Sequence, residues 1–210
     1  EIHSFSGRIH RMFGMVRELL EEQDGEAFVK LYSRIEKYEG ISDNMEIEIA
    51  KYLDQVSDAH LSDDTKEKVR AMLREISELE SIGDACYNMA RIISRKRSGK
   101  DEFTEVQYNH LHQMFELTDD ALEQMTQTLV AHRGSVDVNR SFNIENEINN
   151  YRNQLKNQNI NDVNEHKYSY ASGTMYMDLI NECEHLGDYV VNVVEARMGV
   201  KQHEPEPNID

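Results

Sequence analysis

The stretch Glu78-Leu79-Glu80-Ser81-Ile82-Gly83-Asp84-Ala85-Cys86-Tyr87-Asn88 returns, about half a chain later, as Glu182-Cys183-Glu184-His185-Leu186-Gly187-Asp188-Tyr189-Val190-Val191-Asn192. The shared pattern is E-x-E-x-x-G-D-x-x-x-N, and its recurrence at that distance divides the 210 residues into two similar units. Each copy lies in a long run of apolar residues at three- and four-residue spacing, which places both on helices. Chance likeness between acidic helices accounts for one or two shared positions, but hardly for the glycine and the asparagine together.

The same spacing predicts six helices, roughly over 2–23, 26–57, 64–97, 102–132, 136–158 and 163–198. Only 2 Pro and 10 Gly occur, with 39% hydrophobic and 30% charged residues, a balance that favours long helices over a turn-rich β architecture. The expected fold is therefore all-α: a six-helix bundle of two three-helix repeats, about 1–99 and 100–198, forming one body over 1–198. Asp64 with Glu67 is spaced as a capping box for the third helix, and Gly99 is suited to a left-handed ending. Asn161 or Asp162 with Glu165 is expected to open the sixth. Short connections make neighbouring helices antiparallel. The ending from Gly199 onward has both prolines and no apolar period, and is expected to be disordered over 199–210.

Forty acidic against 23 basic side chains give a formal charge of −17, which repels polyanions and leaves no basic stripe for a nucleic-acid backbone. Cys86 and Cys183 form no CxxC pair and no secreted-type framework, so both are expected as core residues in a reducing, cytoplasmic setting. No run approaches the roughly 18 to 20 apolar residues of a membrane span. The chain opens on Glu1, with Ile2, Phe5, Ile9, Met12, Phe13 and Val16 already in helical register and no capping residue ahead of them, so it reads as cut from something longer.

On a helix, Glu80, Asp84 and Asn88 fall along one side with Gly83 close by, and Glu184, Asp188, Asn192 and Gly187 repeat the stripe. Glycine inside a helix costs about 1 kcal/mol relative to alanine, so its presence in both copies points to close approach by another helix or a ligand. Two carboxylates one turn apart, flanked by an amide, are hard oxygen ligands suited to Mg²⁺, Mn²⁺ or iron. The plainer alternative is a solvated acidic face.

A double copy of E-x-x-G-D-x-x-x-N on the third helices of two three-helix repeats resembles the PhoU proteins of phosphate homeostasis, over about residues 1–198. The resemblance implies a pseudo-twofold six-helix bundle, a regulatory rather than catalytic role, and in some members iron or zinc clusters held by E/D-x-x-x-D motifs on the second and third helices. Glu80, Asp84, Glu184 and Asp188 match the third-helix positions. Glu39 with Asp43 matches the second-helix motif of the first repeat. In the second repeat that stretch reads Glu145-Asn146-Glu147-Ile148-Asn149, with Asn149 in place of a carboxylate, so a weaker second site is expected.

PhoU-like domains also form the cytosolic C-terminal part of bacterial sodium-dependent phosphate transporters, and the chain looks closer to that branch, with a free-standing PhoU regulator as the alternative. On either reading the implied partner is the membrane portion of a phosphate transporter, in the same chain or separate, at the inner face of the plasma membrane. Self-association is a further option; nucleic acid and membrane insertion of this segment are not expected. The implied metal is a divalent or iron-type ion: Fe, Zn, Mn or Mg.

Other signals rank lower. Glu182 and His185 form one E-x-x-H element, half of a ferritin-like di-iron centre that needs two. His110 and His112 point to different sides of a helix and are expected at the surface. Met12, Met15, Met114, Met125, Met175 and Met177 suit adaptable core filling, and Tyr168, Tyr170 and Tyr176 suit core edges with wet hydroxyls. The basic run Ser94 to Arg97 is expected to complement the dipole at the end of its helix. No phosphate-binding loop and no nucleophile elbow occurs in the sequence.

Overall fold

The computed structural model describes residues 1–57, 61–131 and 138–199. Six helices follow one another: α1 (Ile2–Glu21), α2 (Gly25–Ser57), α3 (Asp63–Ser98), α4 (Glu105–Val130), α5 (Val138–Asn164) and α6 (Tyr170–Met198). The all-α, six-helix architecture expected from the periodicity is the one observed. The rest of the expected tail, 200–210, lies outside the described residues; Gly199 itself caps α6 in the left-handed region, at φ 73°.

Helices α1, α2 and α3 pack on one another, as do α4, α5 and α6, and the two repeats meet through α1 against α4 and α3 against α6. Helices α2 and α5 touch only their own repeat. This placement follows from how much of each helix is apolar. In α1, Phe5, Ile9, Met12, Phe13 and Val16 are all fully buried, a broad stripe that serves both its own repeat and α4. The outer helices bury a narrow seam instead: Phe28, Ser42, Ile35 and Ile49 in α2, and Ser141, Ile148, Leu155 and Asp162 in α5, each set spaced by seven residues. A seven-residue repeat keeps one thin line of a helix facing its neighbours and leaves the rest to water.

The core between the repeats is made of large side chains. Phe13 of α1 meets Phe115 of α4 edge to face, with centroids 5.5 Å apart. The six methionines named above are all buried, and so are both cysteines, as free thiols. Burial pushes the Cys183 thiol up to about 12, and Cys86 is raised for the same reason, so neither is a nucleophile at neutral pH.

Several helix ends differ from expectation. Helix α3 is capped by Ser62, whose hydroxyl accepts from the Thr65 amide at 3.3 Å, so Asp64 and Glu67 fall inside the first turns. Gly99 ends the helix extended, at φ −85°, not left-handed. Helix α4 opens at Thr104 with a full capping box: the Thr104 hydroxyl accepts from Gln107 N (3.2 Å) and Gln107 Oε1 accepts from Thr104 N (2.9 Å).

The largest correction is at the α5–α6 junction, where neither Asn161 nor Asp162 opens a helix. Asp162 is the last seam residue of α5, buried and held by Lys167 Nζ (2.7 Å) and Gln158 Nε2 (2.9 Å), so the helix runs on through it. It then ends in a Schellman arrangement, with His166 in the left-handed region at φ 58°, His166 N donating to Val163 O and Lys167 N to Asp162 O. Ser169 caps α6, accepting from Ser172 N at 3.0 Å.

The basic run falls in the last turn of α3, as expected, and its members make further contacts. Arg97 donates to the carbonyls of Glu22 (2.6 Å) and Gln23 (2.7 Å), so it also serves the chain leaving α1. Arg197 does the same for α4 through the Leu129 carbonyl at 2.8 Å. Lys96 is buried over the Phe103 and Tyr108 rings.

Candidate functional site

The repeated motif separates into two sets of residues with different roles. Its two ends tie the repeats together. Asn192 Nδ2 donates to Glu78 Oε2 at 3.0 Å, and the reciprocal residues, Asn88 and Glu182, adjoin each other across the same seam. The first glutamate and the asparagine of the motif therefore meet at two symmetric places along the antiparallel α3–α6 seam. Asn88 and Asn192 are fully explained by this seam and are not part of the acidic stripe's chemistry.

The motif's glycines face their own repeats. A Cβ on Gly83 would stand 3.1 Å from Ile9 Cδ1 and 3.7 Å from Ser42 Cβ, and one on Gly187 would stand 3.3 Å from Ile148 Cδ1. Close helix approach is thus the reason for both, although the neighbours are side-chain ends that yield by a few tenths of an ångström. Ser42 and Ile148 are corresponding seam residues of α2 and α5. This correspondence sets Glu39 against Glu145, Asp43 against Asn149 and Glu46 against Arg152.

In the first repeat, Glu39 and Asp43 of α2 and Asp84 of α3 each bring a carboxylate oxygen within 4.8 Å of the others. Among the described residues this is the one group of three or more His, Cys, Asp or Glu side chains so arranged. Glu80 lies beside it. Burial, followed by the negative charges of Asp84, Glu46 and Asp43, pushes the Glu80 carboxyl up to about 7. Burial and the charges of Asp43, Asp84 and Glu36 raise Glu39 as well. Carboxylates crowded this closely favour either a proton or a cation between them.

The second repeat is not a copy. Glu184, Asp188 and Glu145 are neighbours, but Arg152 donates to Glu184 Oε1 at 2.8 Å, and Asn149 Nδ2 donates to Glu145. Glu145 and Asp188 are raised chiefly by burial and then by their acidic neighbours, while Arg152 and His185 pull Asp188 the other way. A guanidinium stands where the first repeat has Glu46, so the second repeat carries its own cation. Asn149 was legible as a loss of charge; the opposing Arg152 lies seven residues beyond Glu145 and was missed.

The lesser signals resolve as follows. Glu182 of the E-x-x-H element adjoins Asn88 on the seam, and the surface hollow around it and His185 is lined by Arg91, Arg95 and Asp178, with Arg95 paired to Asp178 at 3.1 Å, so no second E-x-x-H element meets it there. His110 is not simply a surface histidine: its Nδ1 is 2.9 Å from the Tyr176 hydroxyl. Tyr176 is 2% exposed, so its hydroxyl is dry, whereas Tyr170 is 78% exposed. His112 pairs with Glu21 at the surface.

One pH effect follows from this geometry. Glu80 titrates near 4.5 when unfolded and near 7 in the fold, so its contribution to stability is present below about 4.5 and is lost as pH rises through about 7. Glu80→Gln, in chelator-treated protein, is expected to gain on the order of 1 kcal/mol at pH 8 and little at pH 5, after allowance for solvent screening. Urea unfolding at the two pH values measures the difference.

The geometry defines a two-repeat helical bundle with an uncompensated acidic cluster on one repeat. Residues 2–93, most of the first repeat, match the family model described as the PhoU domain. The solved structures that share the fold include two PhoU proteins. The phosphate transport system regulatory protein PhoU from Streptococcus pneumoniae is 19% identical, with a TM-score of 0.69 over 94% of this chain and 93% of that one. PhoU from Pseudomonas aeruginosa is 14% identical, with a TM-score of 0.74 over 93% of this chain and 91% of that one. No curated protein matches the chain.

Proposed function

We propose that this chain is a PhoU-type regulator of phosphate uptake, acting by docking on a transporter and without catalytic chemistry. The observation that carries this reading is the shared fold: both PhoU structures superpose over more than nine tenths of the chain. The Streptococcus pneumoniae protein is a phosphate transport system regulatory protein by name, which favours a free-standing regulator over the domain of a sodium-dependent cotransporter. No described helix is long and apolar enough to cross a membrane, so contact with a transporter would be made from one side of the bilayer.

A metal fits the first repeat. Glu39, Asp43 and Asp84, with Glu80 adjacent, offer hard oxygen donors whose mutual repulsion a divalent or iron-type cation would relieve. Bound there, such an ion would supply charge neutralisation and fasten α2 to α3. The second repeat does not fit, because Arg152 already neutralises Glu184. The parent is expected to retain about one Mn²⁺, Zn²⁺ or Fe per chain after loading and desalting. Asp43→Asn with Asp84→Asn should retain none while keeping its helical circular dichroism. Equal metal in both proteins would remove the ion from this reading.

The regulatory reading is tested by radiolabelled phosphate uptake in cells lacking the gene. Uptake under phosphate-rich conditions should become unrestrained and return to normal on complementation. Uptake indifferent to the gene, in both rich and poor medium, would sink the proposal.

A further inference from the structure

A second concavity, on the opposite repeat from the acidic cluster, has the makings of a small-molecule site. It is a cleft of about 440 Å³ between the start of α4, the end of α5 and the turn into α6, within the range that ligand pockets occupy. Its aromatic walls are His110, Tyr168 and Tyr176, and Leu155 and Val106 add apolar surface. Burial keeps His110 below its ordinary range, so the imidazole is neutral.

Apart from the Asp162–Lys167 pair, the Thr104 hydroxyl and the ring polar atoms, the polar groups of the cleft are amides. Gln154, Gln158 and Asn159 line it beside Gln107. Gln107 is 1% exposed, and its Nε2 is buried without a well-formed hydrogen bond, although its Oε1 is committed to capping α4. Its nearest acceptor is the Tyr168 phenol oxygen, which donates its own proton to Asn159 Oδ1 at 2.8 Å and can take one poorly aligned bond from the amide, leaving the second N–H without an acceptor. A buried amide nitrogen left in this state costs about 1–3 kcal/mol, which a ligand acceptor would recover.

Charge narrows the ligand. Among the described residues lining the cleft, Lys167 is the only cation, and it is held by Asp162 (2.7 Å) and Glu165 (2.9 Å). A phosphate would have to displace two carboxylates from it and sit beside Asp162. A purely apolar ligand would match none of the donor and acceptor atoms that Gln107, Gln154, Gln158 and Asn159 keep beyond their bonds to Thr104, Asp162 and Tyr168. Amides that present donor and acceptor together pair with the edges of heterocyclic bases, and aromatic faces stack on them.

We propose that this cleft binds a neutral, planar, hydrogen-bonding heterocycle, a nucleobase or its nucleoside. Gly173 helps to shape it: a Cβ there would fall 2.8 Å from Val163 Cγ2 and 3.2 Å from Tyr168 Cε2, so only glycine lets α6 start this close to Tyr168. The site is independent of the acidic cluster and of phosphate regulation.

Saturation-transfer NMR and calorimetry of the full chain with adenosine, guanosine, cytidine and uridine test the assignment, with inorganic phosphate as the charged comparison. At least one nucleoside is expected to bind with a Kd below about 1 mM, and phosphate is not. Gln107→Glu keeps the acceptor that caps α4 but removes the Nε2 donor, and should weaken binding at least about tenfold. Val106→Trp, at a position 57% exposed on the cleft, should block it without disturbing the core. If no nucleoside binds, if phosphate alone binds, or if binding is the same in a folded Val106→Trp variant, the assignment is wrong.

Discussion

Replacing Phe13 by alanine is expected to lower the unfolding free energy by about 3–5 kcal/mol, and replacing Phe115 by alanine by a similar amount. Phe13 is fully buried and Phe115 is 2% exposed, so neither site can refill from solvent without cost. The rings belong to α1 and α4, one from each repeat, and meet edge to face. Each truncation therefore opens a cavity where the two units join. The edge-to-face contact adds about 0.5–1.5 kcal/mol beyond the buried area. The double variant should accordingly lose less than the sum of the singles, because the second truncation removes a partner already gone. Denaturant unfolding of the four proteins measures this directly; strict additivity would mean that the rings do not act as a pair.

Arg152→Met is expected to cost about 2 kcal/mol at pH 8 and distinctly less at pH 5. Arg152 and Glu184 are 24% and 15% exposed, so the loss falls short of that for a fully buried pair. Without the guanidinium, Glu184 is left beside Asp188 and Glu145 with only the His185 imidazole, 3.7 Å away, to oppose them, and the loss of its main cationic partner disfavours its ionised form in the fold. A carboxylate disfavoured in the fold costs stability as it ionises with rising pH, so the variant's deficit should grow from pH 5 to pH 8. A deficit independent of pH would show that Arg152 acts by packing alone. Asn149→Asp with Arg152→Glu would give the second repeat the charge pattern of the first, and on the proposed metal reading a second equivalent of ion should then bind.

The fold was legible because the signals for it are local and repeated. Six amphipathic periods and a duplicated motif suffice for two three-helix units, and the stripe positions of Glu80 and Asp84 follow from helical geometry alone. What was hidden is relational. The motif's asparagines looked like ligands because spacing along a helix cannot show that they reach the other repeat. The end of α5 was misplaced because Asp162 and Glu165 resemble a start signal, while the seven-residue seam that carries the helix through Asp162 outweighs it. Arg152 escaped notice because its meaning depends on Glu184, 32 positions away in sequence. Gln107 was unremarked for the same reason: its capping role is local, but its stranded amide nitrogen is visible only once α5 and α6 close around it.

The reciprocal contacts of Glu78 with Asn192 and Asn88 with Glu182 restrict how the bundle can change shape. They lie ten residues apart along α3, about 15 Å of helix, on either side of the pseudo-twofold axis. Sliding α3 past α6 by even one residue shifts both contacts at once, so translation along the seam is the motion the duplicated motif opposes most. Helices α2 and α5 have no such tie to the other repeat. A partner that deforms this protein must therefore do so by swinging the flanks against a fixed spine, and only one flank carries the acidic cluster.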